Sequence, residues 1–194
     1  MPALTVHPVL LEDDYAGHVE LQQPLYRALR VASDFFEQFG IYVHVAALKV
    51  PRLDHAIELT AENPWGQAWQ AVIGGNLLGL PEGDRDEHRF LCLLRGWHDP
   101  YWIGWGGLGL AVVGDWAIER LLSMGTPEAL WDDYHTAALV CHELGHVMGL
   151  GHNFDSDTDV MSYHWDRFPN STLSQRPGAA GGAAEGCALE AGVP

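Results

Sequence analysis

The twelve residues Cys141-His142-Glu143-Leu144-Gly145-His146-Val147-Met148-Gly149-Leu150-Gly151-His152 constrain this chain more than any other stretch. Their pattern is H-E-x-x-H-x-x-G-x-x-H. A helix advances 100° and about 1.5 Å per residue. His142 and His146, four apart, therefore stack on one helix face, where two imidazoles can share a metal ion. Glu143 stands beside them, placed to reach a metal-bound water without being a ligand. Gly149 follows three residues after His146. Glycine accepts positive φ and is the usual helix stop. A break there lets the chain swing back and present His152 as a third ligand. Three neutral nitrogen ligands leave one corner of a tetrahedral zinc open, which is the arrangement of a catalytic site.

A second element lies nearby. Asp159-Val160-Met161-Ser162-Tyr163 places its methionine nine residues beyond His152. With both elements in hand, the chain resembles the metzincin zinc metallopeptidases, whose long histidine motif is followed by a Met-turn. Met-Ser-Tyr is most similar to the serralysin form of that turn, and the matrixin-like or serralysin-like subfamily stays open. The resemblance implies an α+β fold: a mixed twisted sheet, a backing helix, an active-site helix and a small irregular C-terminal subdomain. It implies His142, His146 and His152 as zinc ligands and Glu143 as general base. It also implies Met161 as an apolar floor beneath the metal, and Tyr163 as a second catalytic group at the zinc. The implied divisions are an N-terminal catalytic subdomain over 1–152 and a C-terminal subdomain over 153–176. Residues 177–194, rich in alanine and glycine, are expected to form a flexible tail.

The implied activity is that of a zinc-dependent endopeptidase acting on protein or peptide substrates as a monomer. The alternative is a zinc-containing binding or inhibitory protein that keeps the site without turnover. The net charge of −16, with Lys49 as the one lysine, repels phosphate backbones and argues against nucleic-acid binding. No run of 18 uninterrupted apolar residues exists, so no membrane span is expected. The start, Met1-Pro2-Ala3-Leu4-Thr5-Val6-His7, lacks a basic segment followed by an apolar run. No signal peptide is therefore expected in it. Unconventional export and a role inside the cell both stay open. Three cysteines, Cys92, Cys141 and Cys187, give no disulfide framework. Cys92 and Cys141 are expected as small buried apolar residues.

Along the chain, residues 1–20 look irregular. Leu25, Leu29, Ala32, Phe36 and Phe39 recur at helical spacing over Pro24–Phe39, with Gly40 as the stop. Ile41–Val50 has the β-branched character of a strand, and His88–Gly96 that of a buried one. Asn63–Leu78 is expected to hold a short helix. Gly104–Gly114 is rich in glycine but lacks the Lys-Ser/Thr ending of a phosphate loop. Residues 107–113 are expected as a strand, and by resemblance Gly107, Leu108, Gly109, Leu110 and Ala111 as the strand that pairs with substrate. Asp115–Met124 is expected as a short helix, with Thr126-Pro127-Glu128 opening the next. Asp155, Asp157 and Asp159 alternate as calcium ligands do, so Ca2+ is a candidate second ion beside Zn2+; the segment lacks the glycine and terminal glutamate of a calcium-binding loop, and the alternative is an Asx-rich turn leading into the Met-turn.

Overall fold

The computed structural model describes residues 3–11, 18–50, 64–76, 78–80, 88–94, 102–114, 133–162, 168–174 and 185–188. The helix expected at 115–124, the helix start at 126–128 and Tyr163 lie outside them.

The chain opens with β1 (Ala3–Leu11), continues into α1 (His18–Glu37), and returns as β2 (Tyr42–Val45). A short helix α2 (Pro64–Trp69) runs into a single π-helical turn over Gln70–Gly74. Then come β3 (His88–Leu94), β4 (Trp102–Gly107), β5 (Leu110–Gly114), α3 (Asp133–Val147) and β6 (Glu185–Ala188). The six strands form one mixed sheet in the order β2-β1-β3-β5-β4-β6. The first four are parallel, whereas β4 runs antiparallel to both β5 and β6.

Both faces of the sheet are covered, which explains the strand sequences. In β1, Val6 and Leu10 join one apolar cluster while Val9 and Leu11 join the other. In β5, Ala111 and Val113 face the first cluster and Leu110 and Val112 the second. A strand that is buried on both sides has no polar side to show, so it reads as a continuous apolar run. The first cluster packs under α1 and α3, through Leu25, Leu29, Ala32 and Phe36 of α1 and Val140, Leu144 and Val147 of α3. The second packs under α2 and its π-turn through Ala68 and Val72, with Trp65 and Trp69 alongside.

Four features depart from the sequence reading. Residues 3–11, expected to be irregular, form a strand second from the sheet's edge, paired over seven positions with β3 from Thr5↔His88 to Leu11↔Leu94. β2 is shorter than expected, yet the chain after it stays beside β1, with Leu10 N–H donating to the Lys49 carbonyl and Lys49 N–H to the Pro8 carbonyl, both at 2.9 Å. The strand expected at 107–113 is a hairpin: β4 ends at Gly107, Leu108 and Gly109 turn with φ of 45° and 86°, and β5 begins at Leu110. Glu185–Ala188, inside the segment expected to be a flexible tail, forms β6. Gly40 does close the α1 corner, with φ 75°.

Candidate zinc centre

α3 carries the first two histidines. His142 and Glu143 are fully buried and His146 nearly so, because the helix lies against β4 and α1. The close approach is made by glycine. A Cβ at Gly104 would collide with the Glu143 carboxylate. A Cβ at Gly106 would stand 2.5 Å from the Glu143 carbonyl oxygen and 2.8 Å from His146 Cβ. From below, Gly145 leaves room for the buried Met161, whose sulfur a Cβ there would strike. α3 thus runs between β4 and the 150–162 segment with almost no clearance.

The helix ends at Val147, and Gly149 takes φ 83°. Leu150 N–H donates back to the Gly145 carbonyl at 3.0 Å, which closes the end of the helix. The chain reverses there. His152 arrives with its Nε2 3.2 Å from that of His146, which in turn is 3.1 Å from the Nε2 of His142. The three histidines form the one group among the described residues able to hold a metal ion.

The other ring nitrogens decide what these contacts mean. His142 Nδ1 donates to the Val160 carbonyl at 2.9 Å, and His146 Nδ1 to the Leu150 carbonyl at 2.8 Å. A neutral imidazole carries one proton, so both Nε2 atoms present lone pairs. Two lone pairs 3.1 Å apart repel unless a cation lies between them. Ligands at zinc–nitrogen distances of 2.0–2.1 Å on a tetrahedron lie about 3.3 Å apart. The observed spacing matches that separation. Burial pushes the His142 pKa well below the usual histidine range, His146 adds to the shift, and the Val160 carbonyl opposes it. The ring is held neutral, the form that binds metal.

Glu143 supplies a second test of fit. Both carboxylate oxygens are buried and have no hydrogen-bond partner among the described residues. Burial pushes its pKa well above the ordinary carboxylate value. A carboxyl group in such a place is costly unless something polar completes the site. A metal with its water at the open corner is of the right chemistry, and the donor set of three neutral imidazoles suits zinc.

The remaining expected site residues divide. Met161 is buried beneath Gly145, and Tyr163 lies outside the described residues. Leu110 and Ala111 cannot offer a free edge: β5 pairs with β3 through Phe90↔Leu110 and Leu91↔Ala111, and with β4 through Gly107↔Leu110 and Gly106↔Ala111. Leu108 and Gly109 are spent on the turn. The calcium reading finds no support. Asp155 and Asp157 are exposed, whereas Asp159 is buried and turned inward. Its Oδ1 accepts from Met161 N–H at 2.8 Å; its Oδ2 accepts from Ser174 N–H at 3.0 Å, Asn153 Nδ2 at 3.1 Å and the Ser174 hydroxyl. Burial alone would push Asp159 up, but these four donors together hold it below the ordinary aspartate value. It is a bracket for the loop that carries Val160. Sequence reasoning missed this role because Ser174 is fifteen residues away.

No protein-family model matches this chain, and no curated protein sequence matches it. Among solved structures the chain is similar to a zinc-dependent peptidase from Methanocorpusculum labreanum. The identity is 15% over 87% of this chain and 96% of that one, with a TM-score of 0.45. A likeness of that size carries no weight here, and the zinc reading rests on the three imidazoles themselves.

Proposed function

We propose that the chain is a zinc-dependent endopeptidase with a metzincin-like centre. One observation carries the reading: the Nε2 atoms of His142 and His152 lie 3.1 and 3.2 Å from that of His146, all three within 4.8 Å of one another, two with tautomers fixed by backbone carbonyls, beside a buried carboxylate with no hydrogen-bond partner among the described residues. Zinc, when bound, supplies Lewis acidity that lowers the pKa of water to about 7 and polarises a carbonyl. The protein residues do the rest. His142, His146 and His152 hold the ion. Glu143 takes the proton from the attacking water on a carboxylate oxygen and passes it to the departing amine. Its burial raises its basicity, which suits a proton acceptor working near neutral pH. Tyr163 is assigned to stabilising the oxyanion on the strength of the resemblance alone. An extended peptide would lie along the outer edge of β4, the strand that touches Glu143 and His146, held by main-chain bonds.

The test uses the zinc-loaded chain and a quenched peptide or casein, with a chelator as control. Glu143→Ala should keep its zinc and lose hydrolysis by roughly 10²–10⁴-fold. Full turnover in that variant would remove Glu143 from the mechanism. Absence of turnover in the parent chain on a broad peptide library would favour the non-catalytic alternative.

A further inference from the structure

The outer edge of β4 is already occupied. β6 pairs with it antiparallel, in the register Gly106↔Glu185, Trp105↔Gly186, Gly104↔Cys187 and Trp102↔Ala188, with an irregularity between Trp102 and Gly104. An open edge presents a row of unpaired N–H and C=O groups, the natural template for an incoming strand. On this sheet, that row belongs to the strand whose Gly104 and Gly106 touch Glu143 and His146. Whatever pairs there runs beside the zinc centre. We propose that Glu185–Ala188 is an intramolecular occupant of the peptide-docking edge, which an extended substrate must displace. The inference rests on the endopeptidase reading for its consequence, but not for the pairing itself.

Two features make β6 a displaceable strand. It is four residues long, against the seven paired positions of β1 with β3. Its sequence, Glu-Gly-Cys-Ala, contains no β-branched or aromatic residue, so little beyond main-chain bonds favours the extended form. What holds it is its tether. A segment of the same chain competes at an effective concentration on the order of millimolar. A free peptide at micromolar concentration loses that contest unless its side chains add contacts. The expected signature is competitive: a raised KM with an unchanged kcat, and selection for substrates that bind well enough to win.

The experiment uses the full chain with Gly186→Pro and Cys187→Pro together. Successive amides of a strand point to opposite edges, so one of the two prolines must remove a donor facing β4. Zinc content and melting temperature verify that the variant is folded, and Ala188→Pro alone serves as a milder second variant. Three quantities are read in parent and variant: amide exchange over 102–107, binding of a labelled peptide with the sequence of residues 183–190, and KM and kcat on a quenched peptide. In the variant, exchange at 102–107 should quicken, the labelled peptide should bind roughly tenfold tighter, and KM should fall about tenfold at constant kcat. Equal peptide affinity and equal KM in both chains would make β6 merely the outermost strand of the sheet. Unchanged exchange over 102–107 would deny the pairing itself. Should neither chain hydrolyse anything while the labelled peptide still prefers the variant, the occupied edge stands and the endopeptidase reading falls.

Discussion

Asp159 is the residue on which the zinc loop turns. Its four donors tie Met161, Ser174 and Asn153 together, and the intervening Val160 carbonyl orients His142. Asp159→Ala would strand the buried amide of Met161 and remove the acceptor of the more exposed Ser174 amide, a loss of about 1–3 kcal/mol. It should also weaken zinc roughly tenfold, as loss of a group that orients a ligand does. The pH dependence has a definite sign. The folded-state pKa lies below the ordinary value of 3.8, so the contribution is complete above that value and disappears as pH falls through the folded one. The variant should therefore show a flatter stability profile below about pH 4 than the parent in urea titrations. An identical acid limb in both would mean that Asp159 does not carry the loop. At this scale, legibility followed distance. His142 and His146 declare themselves because helix periodicity converts a spacing of four into contact. Asp159 invited a calcium reading because its partners Asn153 and Ser174 come from separate turns that no local pattern links.

Among the elements, those with local signals were legible and those completed by distant chain were not. α1 was visible in Leu25, Leu29, Ala32 and Phe36, which are buried, although it begins at His18 and not at Pro24. β3 was visible as an apolar run. β1 was hidden because its proline and histidine, Pro8 and His7, mask a strand that is buried from both sides; His7 sits 2.6 Å from His88 and stacks on Phe90. β6 was hidden because its sequence carries no β preference and only the edge of β4 makes it a strand. The glycines of β4 did carry a signal. Their spacing of two puts Gly104 and Gly106 on one face, and what approaches that face is α3 itself. A comparison of two substitutions follows. At Gly106 an added methyl meets main chain and a histidine Cβ, neither of which can move aside, so Gly106→Ala should lose about 1–3 kcal/mol and disturb zinc. At Gly145 the obstacle is the thioether of Met161, which can shift, and alanine returns about 1 kcal/mol of helix propensity. Gly145→Ala should therefore be clearly milder in chemical denaturation, and the reverse order would mean that α3 and β4 are not in contact as described.

Across the whole molecule, the three histidines able to hold a metal join two bodies. His142 and His146 belong to a helix packed on the sheet and α1; His152 belongs to the segment that leaves Gly149. Hydrogen bonds that join the two among the described residues include His142 Nδ1 to the Val160 carbonyl, His146 Nδ1 to the Leu150 carbonyl and Leu150 N–H to the Gly145 carbonyl, while the loop is closed on itself by Asn153 N–H to the Met161 carbonyl and by Thr172 N–H to the Thr158 carbonyl. A metal bound to the native state alone stabilises it by about 4 kcal/mol at a thousandfold excess over Kd. Here that stabilisation should be distributed unevenly. Without the ion, the Nε2 lone pairs of His142 and His146 face one another, and the cheapest relief is for the 150–162 segment to loosen: it gives Leu150, Val160 and Met161 to the first apolar cluster, whereas the sheet is held by both clusters through strands that carry no histidine of this site. Chelation should lower the melting temperature and quicken amide exchange first at Asn153, Ser162 and Thr172, while Val9 and Leu91 keep near-global protection. His152→Ala should reproduce that exchange pattern with zinc present, because it cuts the link on the loop side alone. If chelation instead loosens β1 and β3 together with the loop, the metal is holding the whole fold and the two-body description is wrong. If it changes neither melting nor exchange, the three imidazoles hold no ion.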